Sequence, residues 1–163
     1  MPDKETIRRA RQDAAQGKSA STQAGEFVRE EIHHVREGKH GARSPKQAIA
    51  IGLSKARRSG VKLPPPGARK TSAGTRRRAQ RDLTASRRSG QPSTRRSRAV
   101  KGALRREPRR SASSPALARQ ARTAARQRSR TSRSAAARKA SRTKGTAGRR
   151  AAARKAARRR KSR

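Results

Sequence analysis

The chain has 163 residues, with 49 Lys and Arg against nine Asp and Glu, and a formal net charge of +40. It contains no cysteine, tryptophan or tyrosine and a single phenylalanine, Phe27. Disulfide frameworks, thiolate catalysis and cysteine-held zinc are therefore excluded, and the aromatic platforms that stack single-stranded bases have almost nothing to be built from.

Residues 3–16 predict a short helix. Asp3 is placed to cap it, Glu5 sits near the positive end of its dipole, and Gly17 can stop it. Ile7, Ala10, Ala14 and Ala15 form a thin apolar side.

Residues 22–37 predict a second helix capped by Ser21 or Thr22. Ala24, Phe27, Val28, Ile32 and Val35 recur at helical spacing, and Gly38 is placed as the stop. Glu26 and Arg29 are an i,i+3 pair. Glu30 and Glu31 are adjacent, so they splay apart on a helix and read as ion-pairing surface residues rather than paired catalytic carboxylates. His33 and His34 also splay apart. Although the turn could bring His40 near His33 or Glu37, the three histidines read as solvated polar positions, and no metal site is expected.

Residues 45–58 predict a third helix. Ser44-Pro45-Lys46-Gln47 is a capping box with proline at the first helical position. Ala48, Ile49, Ile51, Gly52, Leu53 and Ala56 supply an apolar face, and Lys55, Arg57 and Arg58 sit at the negative end of the dipole. Val61 and Leu63 can fold back onto it. The second and third helices make a hairpin of about forty residues, marginal on its own. A second copy, giving a homodimer, is one candidate cover for its apolar faces.

Pro64-Pro65-Pro66 reads as a stiff linker that closes the folded part. Beyond it the alphabet narrows. Residues 67–163 hold 35 Lys and Arg against only Asp82 and Glu107, a net of +33. The large apolar residues there are Leu83, Val100, Leu104 and Leu117. Ordering a residue costs about 1–2 kcal/mol, whereas burying a large apolar side chain returns only about 1.5–3 kcal/mol. The expected fold class is thus a small all-α N-terminal module over residues 1–63, a polyproline linker at 64–66, and a long intrinsically disordered basic tail over 67–163. The Ala/Arg-rich stretch 116–163 is expected to gain helix on binding a polyanion.

Such a tail calls for a polyanion partner. Its arginines outnumber its lysines 29 to 6, and guanidinium binds phosphate bidentately. The candidate phosphate-binding residues are the clustered Arg76, Arg77, Arg78, Arg87, Arg88, Arg95, Arg96, Arg105, Arg106, Arg109 and Arg110. Further along come Arg138, Lys139, Arg149, Arg150, Arg154, Lys155, Arg158, Arg159 and Arg160. Serines beside arginines, such as Ser89 and Ser111, read as soluble spacers. No phosphate loop, catalytic constellation or base-reading motif is present, so neither an enzyme nor a cofactor is expected. No apolar run approaches the ~18–20 residues of a membrane span, and no signal-peptide apolar region follows Met1. The expectation is a non-enzymatic cytoplasmic protein without small-molecule substrate or membrane partner. It would bind duplex DNA with little sequence preference, then neutralise and bridge or compact it. The alternatives are an RNA- or ribosome-associated protein and an adaptor whose hairpin binds a protein.

Two resemblances add to this. The tail, with Ala-Ala-Ala-Arg-Lys-Ala at 135–140 and again at 151–156, resembles linker-histone tails and the Lys/Ala-rich histone-like proteins of some bacteria. Its preference for arginine leans toward protamine-like condensation. The segment GKHGARSPKQAIAIGLSKA (38–56) resembles a family of small, basic, uncharacterised bacterial proteins with a shared core near "GK…(S/N)PKQAIAI(A/G)LSxA". That resemblance implies a bacterial chain and a nucleoid location, and brings no activity with it.

Overall fold

The computed structural model describes residues 2–68, 71–85 and 93–161, apart from the side chains of 143–144, 155–156 and 159–161. Among the described residues there are seven α-helices, one 3-10 turn and no strand. The chain divides into two compact units, Met1–Gln120 and Ala121–Arg163.

The first three helices follow the sequence closely. α1 (Lys4–Ala15) begins after Asp3, but the Asp3 side chain makes no cap bond. α2 (Ala20–Glu37) begins two residues earlier than expected. Its cap is Ser19, whose Oγ accepts from the Thr22 N–H at 3.4 Å, in place of Ser21 or Thr22. Gly38 closes α2 in the left-handed conformation at φ 79°, where a Cβ is costly. α3 (Pro45–Arg58) keeps its predicted cap, Ser44 Oγ accepting from Gln47 N–H at 3.3 Å. The Gln47 side chain reaches one residue further back than a capping box requires, to the Arg43 N–H at 2.7 Å.

α2 and α3 approach most closely at Gly52. A Cβ there would lie 2.7 Å from Val28 Cα and 3.0 Å from Phe27 O. Only glycine admits that backbone contact. After α3 the chain turns back, Val61 N–H donating to Ala56 O at 3.1 Å. Val61 then joins Ala10, Ala24, Phe27 and Ala56 in a buried cluster flanked by Ile7, Leu53 and Leu63. A second cluster holds Val35, Ala42, Ala48 and Ala112, flanked by Ile32. Part of the hairpin's apolar surface is therefore covered from within the chain.

Ala112 lies far beyond the boundary expected at residues 64–66, and the expectation of a disordered tail is overturned. α4 (Ala73–Ala85) packs on α3, and α5 (Thr94–Arg105) leads to a 3-10 turn (Arg109–Ala112) packed on α2 and α3. The first unit runs on to Gln120. The apolar count behind the expectation considered Leu83, Val100, Leu104 and Leu117, and Val100 indeed stays exposed. Docking uses groups that count left out. Ala79 and Ala112 are buried, and alanine loses no rotamer freedom on burial. Gly41 N–H donates to Leu104 O at 2.8 Å, Ala42 N–H to Pro108 O at 3.1 Å, and Arg36 Nε to Ala112 O at 2.9 Å. The prolines link α3 to α4 instead of ending the fold. Arg57 holds their start, donating to Leu63 O at 3.2 Å and Pro64 O at 3.5 Å.

α6 (Ser114–Arg126) and α7 (Arg130–Lys161) complete the chain. α7 breaks at Gly145, where φ 61° and ψ −177° leave helical geometry. Most of 116–161 is therefore helical. Alanine and arginine both have high helix propensity, which favours this conformation.

Candidate nucleic-acid interface

The tail's two acids are both engaged in docking. Asp82 accepts from Ser54 Oγ at 2.7 Å and Arg58 Nε at 2.8 Å, pinning α4 to α3. Glu107 lies 3.6 Å from Arg43 Nε, and its backbone carbonyl occupies the space a Cβ on Gly41 would fill. Their cationic partners come from the N-terminal part of the chain. Burial lowers the pKa of Arg57, with Asp82 pulling the other way. From residue 108 to the end the sequence contains no acid at all.

The predicted phosphate-binding residues fall into distinct settings. On α4, Arg77, Arg78 and Arg81 are exposed and, with Gly74, Gln80 and Thr84, line a shallow open depression. Arg76 is half-buried, and its Nε has no hydrogen-bond partner. Arg95, Arg96 and Arg105 are exposed on α5, and Arg106 follows at its end. Arg110 is exposed on the 3-10 turn. Arg109 is also exposed, yet its guanidinium covers Gly38 at the C-terminus of α2, where a cation is favoured. Its place is thus partly structural. Ser111, read as a spacer, is buried in the same turn. Arg87, Arg88 and Ser89 lie outside the described residues.

In the second unit Arg138, Lys139, Arg149, Arg150, Arg154 and Arg158 are exposed on α7. Arg149 Nε donates to Gly145 O at 3.1 Å, across the break in the helix. Arg150, Arg154 and Arg158 share one face with Ala147 and Ala151. Successive members of that row are four residues apart, about 6 Å along the axis. α7 carries 14 Lys and Arg in 32 residues and no acid. Lys155, Arg159 and Arg160 belong to the same helix, and their side chains lie outside the described set.

The structure also assembles a cluster that the sequence did not reveal. Glu30 and Glu31 are buried, not surface residues. Lys55 Nζ reaches both, at 3.5 Å from Glu30 Oε1 and 2.7 Å from Glu31 Oε2. The Asp3 N–H donates to Glu30 Oε2 at 3.3 Å, and Arg9 Nε lies 2.9 Å from Glu26 Oε2. His34 is buried, with Nε2 3.3 Å from Asp3 Oδ2. His40 approaches Glu31 rather than His33 or Glu37. His33 stays exposed and pairs with Glu37 at 2.8 Å. The Lys39 ammonium beside Glu37, with help from His33, holds that carboxyl below the usual carboxylate range. Adjacency on α2 does splay Glu30 and Glu31, but a lysine from another helix bridges the gap. No local pattern in the sequence signals that.

Residues 11–67, from within α1 to the end of the proline linker, match a family described as a family of unknown function (DUF6496). No curated protein and no solved structure matches the chain. Among the described residues no helix is long and apolar enough to cross a membrane.

Proposed function

We propose that this protein binds duplex DNA with little sequence preference, through arginines displayed on α4, α5 and α7. The observation that carries this reading is the net charge of +33 over residues 67–163, whose two acids, Asp82 and Glu107, face Arg58 and Arg43, while α4, α5 and α7 expose arginine after arginine. A surface made only to be soluble mixes both signs of charge. This one needs an external polyanion, and arginine suits phosphate geometry. Because both units carry basic helices, one chain could hold two duplex segments and bridge them. In a bacterial cell such a protein would work on the nucleoid.

The test is fluorescence anisotropy of the full chain against unrelated duplex sequences and a structured RNA, across a salt series. The expected result is similar affinity for all duplexes and a steep linear fall of log K with log salt, by about 0.9 per phosphate neutralised. Failure to bind duplex DNA near physiological salt would overturn the reading. A strong preference for the RNA would move the function to RNA or the ribosome.

A further inference from the structure

Glu31 is the most deeply buried carboxylate of the first unit, with its side chain 0% exposed. Lys55 Nζ stands 2.7 Å from Oε2, and His40 Nε2 stands 3.2 Å from Oε1. Neither oxygen has an aligned hydrogen-bond donor. Ligand atoms of Glu31, His34 and His40 all lie within 4.8 Å of one another.

The surroundings match what metal-binding imidazoles need. His40 Nδ1 is 3.0 Å from the Gly41 carbonyl. With the proton on Nδ1, Nε2 keeps its lone pair toward Glu31. His34 Nε2 is 3.3 Å from Asp3 Oδ2, and Nδ1, 3.9 Å from Glu30 Oε1 and beyond hydrogen-bond reach of it, is the nitrogen left for a ligand bond. Carboxylate or carbonyl partners of this kind fix the tautomer and ring orientation of metal-bound histidines. Glu31 and His34 are three residues apart on one helix, a spacing that helical metal sites use. Lys55 occupies only Oε2, so Oε1 is left to bind in a monodentate way.

We propose that Glu31, His34 and His40 form a site for a divalent transition-metal ion of the zinc class. Two imidazole nitrogens and one carboxylate oxygen suit that ion, and three protein ligands leave a fourth position for water. Tetrahedral ligands about 2.0–2.2 Å from a metal lie roughly 3.3–3.6 Å apart. Closing from 4.8 Å asks for side-chain shifts on the order of an ångström. The second nearby grouping, Asp3, Glu30 and His34, is the weaker candidate. It has one imidazole, an exposed Asp3, and a Glu30 already bonded to the Asp3 N–H and near Lys55. A bound ion would tie the loop after α2 to the helix itself.

The experiment uses the full chain, titrated with zinc by calorimetry and with cobalt by its visible absorption. The chain has three histidines and no cysteine, so three variants cover every imidazole donor. One zinc per chain is expected. His40→Ala and His34→Ala should each weaken binding by at least about 10-fold, while His33→Ala leaves it unchanged. Circular dichroism confirms that each variant is folded. If His34→Ala is not, His40→Ala and His40→Gln carry the test. No stoichiometric binding by the folded wild type, full affinity in His40→Ala, or equal weakening in His33→Ala would each overturn the proposal.

Discussion

Arg58 and Asp82 hold α4 against α3. Arg58 Nε donates to Asp82 Oδ1 at 2.8 Å, and the other carboxylate oxygen takes the Ser54 hydroxyl at 2.7 Å. Asp82 is nearly buried, whereas Arg58 is largely exposed, so part of the attraction is screened. Asp82→Ala should cost about 1–2 kcal/mol and loosen α4. Denaturant unfolding reads the first effect, and faster tryptic cleavage at Arg76–Arg81 reads the second. An unchanged midpoint and cleavage rate would show that α4 is held by other means.

Gly52 is set by the approach of α2 and α3. Gly52→Ala places a methyl 2.7 Å from Val28 Cα, and overpacking of that kind costs about 1–3 kcal/mol. Gly102, on α5, has open space where its Cβ would be. There the same substitution should stabilise by about 0.5–1 kcal/mol. Thermal midpoints moving in opposite directions for the two variants are the expected outcome.

Phe27 is the only aromatic residue and is 1% exposed, in a cluster otherwise rich in alanine. Phe27→Ala should cost about 3–5 kcal/mol. That approaches the whole stability of a marginal small domain. Circular dichroism at 25 °C should show a substantial loss of helix, and retention of full helicity with an unchanged midpoint would contradict this packing.

Lys55 compensates two buried carboxylates. Lys55→Met leaves Glu30 and Glu31 without it and should destabilise by about 3 kcal/mol. Adding Glu31→Leu should recover part of that loss, because an apolar pair can replace a buried ion pair. The double-mutant cycle measures the coupling, and a double variant no more stable than Lys55→Met would argue against it.

The α7 row makes a separate prediction about binding. Replacing Arg150, Arg154 and Arg158 together with Gln should lower the salt slope of duplex binding by about 3, equally for all sequences. A change confined to one DNA sequence would point to base reading instead.

Much of the local structure was legible. Ser44 and Gln47 announced the start of α3, Gly38 announced the end of α2, and the apolar spacing of Phe27, Val28, Ile32 and Val35 announced its buried side. These signals are encoded within a few residues, where capping and periodicity act. The docking of α4 and of residues 104–112 was not legible. It rests on Ala79 and Ala112, on the Leu104 and Pro108 carbonyls, and on Asp82. None of these stands out in a sequence, because an alanine or a carbonyl becomes a contact only when a particular partner reaches it. Position on α2 likewise said nothing of burial for Glu30 and Glu31.

By itself the sequence determined the helical N-terminal half, the absence of thiol chemistry and the long run of uncompensated positive charge, since these follow from residue type and near-neighbour spacing. The tertiary structure decided where the first folded unit ends, which acids became anchors, and that Glu31, His34 and His40 converge. Those outcomes depend on contacts between segments far apart in the chain, whose energies exist only once the helices have packed.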